Sequence, residues 1–324
     1  MKTIVSFVAA SALAMAFASC TCETKQSVKV PYQKNEYVHV YSPAGKIFQG
    51  PDVKYFKEGE YYEKWLANDH TIIKGKDGKW HMFGLIFPNP ENVKQIHNGG
   101  SQSFHAVSST PLFKESFVHN GWQCKDQVLT RNVTNHSPYI VEKDGLYYMI
   151  YGNSTVVLAT SKDLYNWNFE GELFKDDSEK VRGLRDPNII KVGDTYYLSH
   201  CVENGVAMRS SKDLRNWSAS KVVFRPEEYD PESPSVIFYD GRYYLFVCVW
   251  NKHKMLLQKV DNAFPQITNV YVSDKVEGPY EESSLVATLN GHAPEIFQDE
   301  DGDWYISSAQ YPYRGVSIDR LFWK

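Results

Sequence analysis

Ser137-Pro138-Tyr139-Ile140-Val141-Glu142-Lys143-Asp144-Gly145-Leu146-Tyr147-Tyr148-Met149-Ile150 reads as an apolar run, an Asp-Gly turn and an aromatic run. That order is the signature of a β-hairpin, because Asp-Gly adopts the positive φ angles that a tight turn between twisted strands needs. The phrase returns at Asp186-Pro187-Asn188-Ile189-Ile190, through Gly193, to Tyr196-Tyr197-Leu198. It returns again at Ser233-Pro234-Ser235-Val236, through Asp240-Gly241, to Tyr243-Tyr244-Leu245-Phe246, and at Ala293-Pro294-Glu295-Ile296, through Asp301-Gly302, to Trp304-Tyr305-Ile306. The earliest copy, Asp69-His70-Thr71-Ile72-Ile73 to Trp80-His81-Met82-Phe83, has His70 where the others have proline.

Between hairpins a second phrase recurs, Ala159-Thr160-Ser161-Lys162-Asp163-Leu164-Tyr165-Asn166-Trp167 and Arg209-Ser210-Ser211-Lys212-Asp213-Leu214-Arg215-Asn216-Trp217, marking outer strands and their connecting turn. Units spaced by roughly 47 to 67 residues hold four short strands each, the content of a propeller blade. A β-sandwich would not repeat its sequence, and a β-helix rung is much shorter. The chain is therefore expected to be all-β, a five-bladed β-propeller forming a single domain over residues 36–324.

With 324 residues and 42% hydrophobic content the chain can bury a large core. A net charge of −4 without a stripe of Lys and Arg excludes nucleic acid and anionic lipid surfaces as partners. The 15% aromatic content suits both sheets and stacking on sugars. Residues 1–19 read as a signal peptide, Lys2 followed by an apolar run too short to span a bilayer. Ala18-Ser19 before Cys20 is similar to a lipoprotein cleavage box, so Cys20 is expected to carry lipid, residues 20–35 to form a tether, and the exported protein to be anchored to a bacterial membrane by that lipid alone. Cys22, Cys124, Cys201 and Cys248 form no CxxC pair and no zinc spacing. Cys201 and Cys248 each stand fourteen residues after their repeat's proline, equivalent places in adjacent blades, and are expected to be buried free thiols.

In a propeller the innermost strands start beside the axis, so equivalent positions converge. Just before the proline slot stand Asp69 and Asp186; two before it stand His136, Glu232 and His292, with Asn68 and Arg185 at that place in the blades of the two aspartates. Glycosidic cleavage needs one acid to protonate the leaving oxygen and one carboxylate to attack the anomeric carbon or activate water. Crowding a third carboxylate nearby raises one pKa and keeps that group protonated near neutral pH. An oligosaccharide or polysaccharide is thus the expected substrate.

These motifs resemble those of the five-bladed glycoside hydrolases of families 43 and 32. Asn68-Asp69 resembles the Asn-Asp-Pro-Asn motif of family 32, Arg185-Asp186-Pro187 its Arg-Asp-Pro, and Glu232-Ser233-Pro234 the acid motif of both. The resemblance implies that Asp69 is base or nucleophile, Asp186 an orienting group and Glu232 the general acid. It implies no required cofactor, with a central calcium ion near His292 as the one metal it allows. His70-Thr71 replaces Pro-Asn of the first motif, so arabinose- or xylose-type and fructan-type linkages both stay open. The same replacement motivates the alternative of an inactive, lipid-anchored carbohydrate-binding propeller. Asn68, His136, Arg185 and His292 are candidate sugar contacts, joined by the non-repeating Trp65 and Trp250 as stacking platforms. Trp80, Trp167, Trp217 and Trp304 repeat and are expected to pack; Glu142 and Glu295 follow the proline and are expected to be structural or on the surface.

Overall fold

The computed structural model describes residues 27–48, 52, 56–88, 102–111, 113–117, 121–125, 136–153, 155–174, 184–250 and 266–324. Three short strands come first, β1 (Pro31–Gln33), β2 (Val38–Tyr41) and β3 (Ala44–Ile47). Blade one follows with β4 (Tyr61–Lys74), β5 (Trp80–Pro88), β6 (Gln102–Ser108) and β7 (Trp122–Lys125), with a short helix α1 (Phe113–Ser116) before the last. Blade two is β8 (Tyr139–Lys143), β9 (Leu146–Asn153), β10 (Thr155–Ser161) and β11 (Trp167–Glu172). Blade three is β12 (Arg185–Val192), β13 (Thr195–Val202), β14 (Gly205–Ser211) and β15 (Lys221–Phe224). Blade four is β16 (Asp230–Tyr239), β17 (Arg242–Trp250), β18 (Ile267–Ser273) and β19 (Leu285–Asn290). Blade five is β20 (Ile296–Gln298), β21 (Trp304–Ala309) and β22 (Val316–Trp323). Antiparallel pairing gives five sheets, each repeat supplying one, as the hairpin phrases require.

In blades two and four the inner hairpins turn as their Asp-Gly pairs dictate: φ is 52° and 80° at Asp144-Gly145 and 46° and 80° at Asp240-Gly241, positive at both central residues. Blade five is completed from the other end of the chain. β1 pairs with β22 from Pro31↔Trp323 to Gln33↔Leu321, and β2 pairs with the same strand at Val38↔Ile318. This corrects the expected boundary at residue 36, because residues 31–33 belong to the blade rather than to a tether. The chain's own first strands thus cover the outer edge of β22 and close the ring. Residues 1–26, with the signal peptide and Cys20, lie outside the described residues. Among the described residues no helix is long and apolar enough to cross a membrane.

Five apolar clusters fill the seams between neighbouring blades. The seam joining blade five to blade one contains Trp65, Trp80, Phe104, Phe113, Trp122, Phe297 and Tyr305. Cys201 and Cys248 are free thiols, fully buried in β13 and β17, as expected from their register.

Candidate active site

The proline slot lies within the innermost strands β4, β12 and β16 and just ahead of β8 and β20, and residues flanking it face the axis in every blade. One cavity at the axis is lined by those pairs: Asp69, Ser137 and Tyr139, Asp186 and Asn188, Ser233 and Ser235, and Glu295 beyond Ala293. A regular strand would turn the residue two before the slot away. Instead the register shifts between Arg185 and Asn188 in blade three, between Glu232 and Ser235 in blade four and between Ala67 and His70 in blade one. Such bulges re-aim side chains next to active sites. Backbone φ at the pre-proline residue is 46° at Ser137, 56° at Asp186, 46° at Ser233 and 47° at Ala293. A left-handed conformation at one slot in four blades is strain that the packing around it must hold, and such strain concentrates at functional positions.

The bulges bring the motif side chains together. Arg185 donates from Nη2 to Oε1 of Glu232 at 2.7 Å, and its Nε lies 3.4 Å from Oδ2 of Asp186. The Ser137 hydroxyl donates to Oδ1 of Asp186 at 2.7 Å, and the Ser233 hydroxyl donates to Oδ1 of Asp69 at 2.6 Å. The Ser233 amide donates to Oδ2 of Asp186 at 3.2 Å, and the Asn68 amide group to Oδ2 of Asp69 at 3.2 Å. His136 sits over this ring, Nδ1 3.6 Å from Oδ1 of Asp186. The pre-proline slot thus alternates around the axis, and each aspartate takes a proton donor from a serine of another blade.

The electrostatics separate the carboxyls. Burial pushes Glu232 up to about 7, and the nearby Asp186 and Asp69 add to the rise against the opposing pull of Arg185. Asp186 moves the other way: burial would raise it, but Arg185, His136, the Ser137 hydroxyl and the Ser233 amide together hold it below the usual carboxylate range. Glu295 was expected in a structural or surface role. It is buried, lines the axial cavity one layer below Asp69 and Asp186, and burial drives its carboxyl well above the ordinary value.

The proline-free first motif keeps its anchor. His70 is buried, with Nδ1 3.0 Å from the Asn68 carbonyl and Nε2 2.7 Å from the Ser307 hydroxyl. Burial and the facing His292 lower it to about 4, so the ring is neutral: Nδ1–H donates to the carbonyl and Nε2 accepts from the serine. His292 itself is only 2% exposed. Of the two tryptophans expected as platforms, Trp250 ends β17 opposite Asp230, half-buried at the same end of the strand as Glu232. Trp65 is corrected: it is 1% exposed, its indole donates to the Tyr62 carbonyl at 2.8 Å, and its ring belongs to the seam of blades five and one. Non-repetition marked both residues, but β4 continues eight positions before Asp69 and carries Trp65 into the core rather than to the cavity.

Asp69, His136 and Asp186 offer ligand atoms within 4.8 Å of one another, a spacing that a divalent cation could use. Asp69 also accepts from the Ser233 hydroxyl and the Asn68 amide group, and Asp186 from the Ser137 hydroxyl and the Ser233 amide, with the Arg185 guanidinium beside it.

Residues 180–321 match the profile of glycosyl hydrolases family 43. A xylan 1,3-β-xylosidase from a Vibrio species is 27% identical over 134 residues, 37% of this chain and 24% of that protein, so the chain spans about a quarter of that relative's length. An exo-1,5-α-L-arabinanase from a bovine ruminal metagenomic library superposes with a TM-score of 0.55 at 19% identity, covering 80% of this chain and 92% of that one. A family 32 β-fructofuranosidase from Bombyx mori superposes with a TM-score of 0.57 at 19% identity, covering 78% and 60%. The two superpositions bear on the fold. The chain is a five-bladed propeller similar to the glycoside hydrolases of families 43 and 32, as its motifs implied.

Proposed function

We propose that the chain is a glycoside hydrolase of the family 43 type that releases terminal pentose residues from arabinan- or xylan-type chains, held at a bacterial membrane through lipid on Cys20. The observation that carries the reading is the meeting of Asp69, Asp186 and Glu232 at one end of the axis, with Glu232 pushed up to about 7 while Asp186 is held low. Two environments thereby divide the work. Glu232, a protonated acid near neutral pH, gives its proton to the leaving glycosidic oxygen. Asp69, steadied by Ser233 and Asn68, offers its carboxylate to the anomeric carbon or to the attacking water. Asp186 stays negative, aligns Arg185 and favours the positive charge that develops on the sugar ring.

The pentose preference is supported by the xylosidase and arabinanase names of the two similar proteins described above. Asn68 beside Asp69, His136 beside Asp186 and Trp250 at the end of β17 would contact the sugar. An inactive carbohydrate-binding propeller is the second reading, and it rests on the altered His70-Thr71 segment. The two hydrogen bonds of His70 argue against it, because they hold the first motif where proline would have done so.

The test is a panel of chromogenic arabinosides, xylosides and galactosides together with fructans, read by product mass. A monosaccharide pentose product, lost in Glu232→Gln, is expected. Wild-type turnover in Glu232→Gln would overturn the acid assignment, and glycan affinity without turnover across the panel would overturn the enzyme. Radioactive fatty acid should label the wild type and not Cys20→Ala.

A further inference from the structure

The residue paired with the position two before the proline is small in every blade from two to five. The Gly152 amide donates to the His136 carbonyl at 2.8 Å and the Ala309 amide to the His292 carbonyl at 2.9 Å, while Cys201 lies opposite Arg185 and Cys248 opposite Glu232. In blades three and four the register shifts at this place. In blade three the space holds a sulfur, and it touches the proposed machinery: Sγ of Cys201 is 3.3 Å from Oδ2 of Asp186 and 3.4 Å from the Pro231 carbonyl. Both neighbours are acceptors, and the residue is fully buried. A thiolate there would face a carboxylate and a carbonyl without water, so the sulfur must carry its proton and donate it. Cys248, at the same station one blade on, does the reverse, accepting from the Ala293 amide at 2.9 Å.

We infer that Cys201 is a positioning residue, its S–H fixing the Asp186 carboxylate from beneath while Ser137, Arg185 and the Ser233 amide fix it from the sides. Oδ2 of Asp186 then accepts from the thiol and from the amide of Ser233, the residue that follows Glu232, so orienter and acid are tied through one carboxylate. The inference rests on the hydrolase reading for its kinetic consequence and not for the contact itself.

Two measurements on the full chain separate these. The S–H stretching band, which lies in a clear infrared window, is assigned to Cys201 by its absence in Cys201→Ala. It should appear at the lowered frequency of a thiol bonded to an anion, and should rise in Asp186→Asn. A band at the free-thiol frequency, or one indifferent to Asp186→Asn, overturns the inference whether or not the protein hydrolyses anything. On the best substrate of the panel, Cys201→Ala should lower kcat about tenfold with KM within about twofold, as expected for a lost hydrogen bond to a charged group. Cys201→Ser should restore most of kcat, because its O–H donates to the same oxygen. Cys248→Ala serves as the control and should keep wild-type kcat. Wild-type kcat in Cys201→Ala, or equal losses in the Ala and Ser variants with the Tm retained, overturns the positioning role. Should Cys201→Ala fail to fold, Cys201→Ser decides alone: kcat near wild type supports the role and a tenfold loss at unchanged Tm refutes it. A bonded thiol band in a protein inactive across the panel would instead count against the hydrolase reading.

Discussion

Around the axis Asp69, Asp186 and Glu232 sit among hydroxyl, amide, thiol and guanidinium donors, whereas the seam of blades five and one packs Phe113 against Trp80, Trp122, Phe297 and Tyr305 at 4.8–6.4 Å between ring centres. The seam removes aromatic surface from water and is pinned at its edge by Glu300, whose carboxylate accepts from the Phe113 amide and the Trp80 indole. The axis does the opposite. It gathers like charges in a buried space and holds four pre-proline residues or their neighbours in left-handed backbone, both of which cost stability. Substitutions in the two regions should therefore fall into opposite classes: at the axis activity is lost with the fold intact, and at the seam the fold is weakened with the chemistry intact.

The largest expected effect is at the axis. Glu232→Gln and Asp69→Asn should each lower kcat by about a thousandfold, within the range for general acid–base groups, while thermal melts stay at or above wild type. Equal losses of activity and Tm would erase the distinction between the regions. At the seam, Phe113→Ala should cost about 3–5 kcal/mol in denaturant unfolding, the usual range for a buried phenylalanine, with kcat unchanged below the transition. A kcat loss there would mean that the seam reaches the site.

Glu295 sharpens the contrast further. Its carboxyl stays protonated in the folded protein and ionises once the chain unfolds, so the unfolded state binds fewer protons as pH rises past about 4.5 and stability falls from there upward. Glu295→Gln should remove that slope, its Tm gain over wild type growing between pH 4 and pH 8; a gain independent of pH would contradict burial as the cause. The smallest effect expected is a shift in a pH profile. Activity needs protonated Glu232 and should decline as pH rises through about 7. Arg185→Gln removes the cation that pulls Glu232 down, so this alkaline limb should move to higher pH even as kcat drops. A limb moving to lower pH would show that another group sets it.

The hairpin phrases made the architecture legible, since each Asp-Gly turn and aromatic run is a local choice that repeats. The motif carboxylates were legible for the same reason, being written next to the repeating proline slot, one residue before it at Asp69 and Asp186 and two before it at Glu232. Glu295 was within reach too. It stands one residue after its proline, the same place in the repeat as Tyr139, Asn188 and Ser235, and all four line the axial cavity. Trp65 was out of reach, because being unrepeated does not say which way a side chain faces. Cys201 was legible as a buried thiol; that its hydrogen points at Asp186 depends on a bulge formed by the facing strand.

By itself, then, the order of residues determined five hairpin-bearing units, their shared slot and the carboxyl groups that precede it, because turn chemistry and strand period act over a few positions. The tertiary structure decided which carboxyl stays protonated, which strands close the last blade and which side chains reach the axis. Those outcomes come from burial and charges acting through space between residues of different blades, such as Ser233 on Asp69 and Ser137 on Asp186, and no local pattern encodes that proximity.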